Sequence, residues 1–185
     1  MEAEENEADW DIVSEFTQVL MRAGVDPLNP KSNLDFIPKH YLDSCLTIHD
    51  IIIPAKIKKI NDFAFQGCKN LHSIMFEDGS KCGWVGTKSF SESGIESIEL
   101  PEGLDCVFEE AFSYCFNLKK LVLPSTIESL EYGAFDNCRY LTQLEYNGTK
   151  EKWENDIDIN CFDSDEDLIE SVKCSDGIVD LERNF

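Results

Sequence analysis

Apolar residues recur along the middle of the chain in one phrase. An alternating apolar stretch leads to a proline, then to two aliphatic residues three apart, then to an Ala-Phe pair and a cysteine. Ile51, Ile53-Pro54, Ile57, Ile60, Ala64-Phe65 and Cys68 make one copy. Leu71, Ile74 and Phe76 open the next, which closes with Ser89-Phe90. Ile95, Ile98, Leu100-Pro101, Leu104, Val107, Ala111-Phe112 and Cys115 repeat it, as do Leu118, Leu121, Leu123-Pro124, Ile127, Leu130, Ala134-Phe135 and Cys138. Leu141, Leu144 and Tyr146 start a fifth copy. The position after each alternating stretch is Pro54, Glu77, Pro101, Pro124 or Asn147, in steps of 23, 24, 23 and 23 residues. A period in this range predicts stacked supersecondary units, none of which can bury its apolar face alone. Such a stack points to a binding scaffold rather than an enzyme.

Each Leu-x-x-Leu-x-Leu stretch alternates as a strand with one buried face does. In the fourth copy Leu118, Leu121 and Leu123 are expected inside, with Lys120 and Val122 outside. Pro124 ends the strand because proline cannot donate to a ladder. Ser125–Leu130 should cross over, and Ala134-Phe135 should fill the far side. The second copy departs from this plan: Lys81–Gly86 stands in the crossover, two extra residues precede Phe90, and Ser89 holds the alanine slot. A bulged loop is expected there, with Trp84 packed under it or exposed.

The outward positions of the strands form two columns. One is Asp50, Ser73, Ser97, Lys120 and Gln143; the other is Ile52, Met75, Glu99, Val122 and Glu145. Ile52, Met75 and Val122 would make an exposed apolar stripe. β-Branched residues also suit strands for their own sake, but contiguous exposed apolar surface marks interaction sites. These ten residues are the candidate protein-binding surface.

A solenoid leaves an open apolar face at each end and needs caps there. Trp10, Val13, Phe16 and Leu20 fall on one helical face, and Gly24 and Asp26-Pro27 suit its stop. Residues 9–23 are therefore a predicted capping helix. A proline-punctuated connection over 27–38 should lead to a short helical turn at Lys39–Cys45, whose Tyr41-Leu-Asp-Ser-Cys45 reads as a degenerate first repeat. The organisation expected is 1–45 as an acidic segment with capping helix and degenerate repeat, 46–146 as repeats, and 147–185 as an acidic C-terminal cap.

The phrase Ile-x-Ile-Pro-x-x-Ile-x-x-Ile-x-x-x-Ala-Phe-x-x-Cys-x-x-Leu resembles the BspA-type leucine-rich repeat over roughly residues 46–146. Tyr146-Asn-Gly-Thr-Lys-Glu-Lys-Trp153 is similar to the segment that ends such arrays, which implies that Trp153 seals the last layer. Val172–Gly177 is similar to the closing strand and turn of that cap. The resemblance implies an α/β repeat solenoid: a short leucine-rich-repeat stack with one parallel β-sheet face, an N-terminal capping helix and a C-terminal cap. Members of this family are often surface adhesins carrying export signals. The acidic Met1–Glu7 start is the opposite of such a signal, so a cytoplasmic place is expected.

Cysteine and charge narrow the chemistry. Cys68, Cys115 and Cys138 share one repeat phase, which suits buried thiols packed as small hydrophobes rather than a disulfide framework. No Cys-x-x-Cys occurs, and His40, His49 and His72 lack ligand spacing, so no metal or other cofactor is expected. Asp163–Glu170 lacks the glycine and terminal glutamate of a calcium loop, and reads as a solvated acidic turn. Asn147-Gly-Thr149 fits a glycosylation acceptor but lies inside the cap phrase. No phosphate loop, nucleophile elbow or His–carboxylate set appears, so no catalytic residues are assigned. Net charge is −21. Residues 1–15 carry seven acids and no base; residues 146–185 carry twelve acids against four bases. That surface repels nucleic acid and anionic lipid and attracts a basic partner. The sequence thus reads as a non-catalytic adaptor that binds another protein. The alternative is an anti-defence inhibitor from a phage or mobile element, an anti-CRISPR for example, whose acidic surface fills a basic nucleic-acid groove.

Overall fold

The computed structural model describes residues 28–29, 32–162 and 169–181. The helix expected over 9–23 and most of the acidic turn, residues 163–168, lie outside that range. Strands alternate along the chain as β1 (Phe36–Ile37), β2 (Asp50–Ile53), β3 (Lys59–Ile60), β4 (Ser73–Phe76), β5 (Trp84–Val85) and β6 (Ser97–Glu99). They continue as β7 (Cys106–Val107), β8 (Lys120–Leu123), β9 (Ser129–Leu130) and β10 (Gln143–Tyr146). A single α-helix among the described residues, α1 (Lys150–Asp156), precedes β11 (Ser171–Cys174) and β12 (Gly177–Asp180).

The even-numbered strands β2 to β10 join β11 and β12 in a seven-stranded sheet, ordered β12-β11-β10-β8-β6-β4-β2. All its pairings are parallel except the closing β11–β12 hairpin. The odd-numbered strands, two residues each, form a second parallel sheet ordered β1-β3-β5-β7-β9. The fold is therefore a β-solenoid of about five turns. The expected parallel sheet face is present, and the crossover adds to it a second sheet of short strands, so helix is nearly absent from the α/β plan among the described residues. Each of these two-residue strands turns its second side chain inward: Ile60, Val85, Val107 and Leu130 are all buried.

The Ala-Phe segments make the third side of each coil. Phe65 donates its amide to the Ser89 carbonyl, Phe90 to Ala111, Phe112 to Ala134 and Phe135 to Cys161. Their rings stack in one column, Phe65–Phe90–Phe112–Phe135–Phe162, with centroids 5.1 to 5.2 Å apart. Small alanine lets the backbones approach while phenylalanine fills the space between layers. Each repeat cysteine ties its coil to the one before. The thiols of Cys68, Cys115 and Cys138 donate to the Leu42, Phe90 and Phe112 carbonyls at 3.0 to 3.2 Å. All eight cysteines are free, and burial pushes the Cys68 and Cys82 thiols up to about 12.

The stack runs past both ends of the 46–146 window. Phe36-Ile37 pairs with Lys59-Ile60, and Tyr41 sets its ring edge-on to Phe65 at 5.9 Å. The Lys39–Cys45 stretch is a pair of turns rather than a helical one, with φ of 54° at His40 and 58° at Ser44. At the other end Cys161-Phe162 takes the Ala-Phe place, and Val172 and Cys174 point inward from β11. Trp153 is buried on α1 with its ring 5.6 Å from Tyr146, and Thr149 caps that helix by accepting from the Lys152 amide.

The second coil absorbs its extra residues in one place. Two more residues separate Glu77 from Gly83 than separate Pro101 from Asp105. The extra length follows the Asp78-Gly79 turn, at Ser80-Lys81; the same two-residue turn stands at Ala55-Lys56, Glu102-Gly103 and Ser125-Thr126. After it, Cys82 occupies the aliphatic slot, fully buried, and Trp84 pairs in register with Lys59 and Cys106. Trp84 points outward, 51% exposed, with its ring edge 6.4 Å from Phe108. One residue is missing further on, and Gly94 makes up for it. A Cβ at Gly94 would collide with the Lys69 carbonyl oxygen.

Candidate protein-interaction face

The two outward columns are built by the strand registers. Asp50, Ser73, Ser97, Lys120 and Gln143 are direct neighbours in succession. In the second column Ile52 faces Met75, and Glu99, Val122 and Glu145 follow one another. All ten residues thus lie on the outer face of the seven-stranded sheet. Their surroundings differ along it.

Ile52 and Met75 stand side by side, 51% and 52% exposed. Val122 does not join them. It is 7% exposed, because it sits in register between two long side chains, Glu99 and Glu145. The expected three-residue apolar stripe is therefore a two-residue patch at the β2–β4 end. At the opposite end the charges are paired. Lys120 reaches Glu145 at 2.9 Å and Lys173 reaches it at 3.4 Å; the Lys120 bond chiefly holds the Glu145 carboxyl below its usual range. Lys119 pairs with Glu96 at 3.3 Å. The carboxylates of Asp50 and Glu99 make no hydrogen bond or ion pair among the described residues.

Between β4 and β6 the sheet opens. β2 and β4 pair over four residues, as do β8 and β10, but β4 and β6 pair only at Ser73 and Ser97. A groove of about 480 Å³ lies beyond, floored by Ile74, Phe76 and Leu100 and rimmed by Glu77, Asp78, Glu99 and Glu102. Glu77 accepts from the Ala55 amide at 2.9 Å. Glu102 accepts from the Ser125 amide and hydroxyl at 3.1 and 2.8 Å and from the Asn147 side chain at 3.0 Å. Burial raises the Glu102 carboxyl, but these bonds outweigh it and leave the group below its usual range. Of these rim residues only Glu99 stands among the ten read from the sequence. The signal for the others was present: Glu77 breaks the proline column, at the one step of 24 residues.

His49 and His72 lie 6.2 Å apart on neighbouring coils, and His40 bonds Asp43. Among the described residues no group of three or more His, Cys, Asp or Glu is placed to hold a metal ion.

The sequence matches the model of the BspA type leucine rich repeat region, in six copies, over residues 35–182. The chain belongs to this repeat family. Among solved structures, a leucine rich cell surface protein from Faecalibacterium prausnitzii is similar at 27% identity and a TM-score of 0.64, over 71% of this chain and 35% of that one. The pneumococcal vaccine antigen PcpA is 27% identical with a TM-score of 0.45, over 55% of this chain and 31% of that one. A leucine-rich repeat protein from Bacteroides ovatus is 22% identical with a TM-score of 0.49, over 80% and 44%. This BspA-type chain spans less than half the length of each. No curated protein matches it. Among the described residues, no helix is long and apolar enough to cross a membrane.

Proposed function

We propose that this BspA-type chain is a non-catalytic adaptor that binds another protein through the outer face of its seven-stranded sheet. One observation carries the reading: Ile52 and Met75 are half-exposed neighbours on a fully bonded strand pair. The backbone beneath them is fixed by the strand pairing, and contiguous exposed apolar surface marks interaction sites. In this reading α1, Phe162 and the β11–β12 hairpin serve as the C-terminal cap. We take the module as cytoplasmic, supported by its free thiols, which suit a reducing compartment; the F. prausnitzii protein is described as a cell surface protein.

The test compares three immobilised proteins in native lysate after circular dichroism confirms their folds. These are the wild type, Ile52→Glu/Met75→Glu, and Lys59→Glu on the second sheet. Val122 is left alone because it is covered. A partner kept by Lys59→Glu and lost from the double variant is the expected result. Equal capture by all three sinks the sheet-face reading. A basic nucleic-acid-handling protein held by all three and released by modest salt would favour the acidic inhibitor instead.

A further inference from the structure

We infer that the opening between β4 and β6 is a docking groove for a lysine or arginine side chain of the partner, set beside an aliphatic residue that packs on Ile52 and Met75. This rests on the sheet-face reading and says what chemistry the partner presents there. Met75 and Glu99 line the groove and also belong to the outward columns, so groove and apolar patch are one continuous surface. The floor is aliphatic and aromatic, which suits the methylene stem of a long basic side chain. The rim is acidic, which suits its charged head, and no basic residue lines the groove.

Charge complementarity decides the occupant. The lysines Lys119, Lys120 and Lys173 are already paired with Glu96 and Glu145. Asp78 and Glu99 have no such partner among the described residues. A divalent cation is a poorer fit, since no three ligating groups converge among the described residues. An anionic ligand would meet four carboxylates. The groove arises where the repeat itself breaks: the 24-residue step, the glutamate in the proline column and the inserted Ser80 all fall at its rim. Local departures from an otherwise consistent pattern are where function is expected to sit.

The test is selection of a phage-displayed random dodecapeptide library on the wild type, with each enriched peptide then titrated by fluorescence anisotropy. Three proteins are compared: wild type, Asp78→Asn/Glu99→Gln and Ile52→Glu/Met75→Glu. The expected peptides carry Lys or Arg next to an aliphatic residue. The amide variant should weaken them about tenfold and 300 mM salt should do likewise, since both remove the charge term. Peptides without a basic residue that are lost only from Ile52→Glu/Met75→Glu overturn the groove and leave the sheet-face adaptor standing. Peptides bound equally by all three proteins overturn both, and a library with no enrichment overturns the groove.

Discussion

At the scale of single residues, the coil requires two left-handed positions per turn. The residue before each alanine slot is His40, Phe63, Lys88, Glu110 or Gly133, with φ from 52° to 63°. The residue two after each phenylalanine slot is Ser44, Gly67, Glu92, Tyr114 or Asn137, with φ from 58° to 68°. Side chains pay a steric penalty there that glycine does not. Replacing exposed Glu92 with glycine removes that penalty while adding backbone entropy to the unfolded chain, so a net gain of about 0.5 kcal/mol is expected. Urea denaturation with an unchanged m-value checks it. Thiols give a second prediction. Cys106 is half-buried on the outer side of the second sheet, whereas the other seven cysteines are buried. Burial and then Glu131 raise the Cys106 thiol, so alkylation is slow but confined to that site. Mass spectrometry of the native protein after iodoacetamide should show one adduct, absent in Cys106→Ser, against eight after unfolding.

At the scale of elements, the phenylalanine column and the outer sheet face behave in opposite ways. Phe112 stacks on Phe90 and Phe135 at 5.2 Å on either side. Phe112→Leu keeps the apolar character and loses both stacks, an expected cost of about 2 kcal/mol in urea stability. On the sheet face, the same charge insertion should separate neighbours in one column. Met75→Glu replaces an exposed side chain and should stay within about 0.5 kcal/mol of wild type. Val122→Glu puts a carboxylate under Glu99 and Glu145 and should cost about 3 kcal/mol. Equal losses for the two would show that Val122 is open to solvent as Met75 is.

At the scale of the whole molecule, stability is carried by neighbour-to-neighbour contacts with few bonds that skip a coil. Glu102 makes one of them, joining Ser125 on the next coil to Asn147 on the one after. Its folded carboxyl lies below the unfolded glutamate value of about 4.3. Its contribution is therefore complete above that pH and disappears as the pH falls through the lowered folded value. Glu102→Gln should be less stable than wild type at pH 7, with the gap narrowing as the pH falls below the unfolded value and through the lowered folded one. Urea midpoints across that range test it; a constant gap would mean that the amide loses shape rather than charge.

The amino-acid sequence by itself determined the coil period, the inward positions, the aromatic column and the packing role of the cysteines. Each coil meets nearly the same neighbour, so one local pattern repeats and can be read directly. The register that aligns Asp50 with Ser73, and Ile52 with Met75, follows from the same period. Tertiary structure decided the rest. Val122 is covered by side chains from other coils, which no alternation along its own strand records. Lys120 spends its charge on Glu145, so the sheet face is neutralised at one end and acidic at the other. The close of the fifth copy is hidden in the sequence because Phe162 follows Phe135 by 27 residues and stands behind cysteine instead of alanine. Left-handed positions filled by Phe, Lys, Glu and Tyr carry no local signature, since the backbone there obeys the stacked coils. The groove lies between these cases. Its cause, an irregular step in the second copy, is written in the sequence, but its shape exists only where β4 and β6 part.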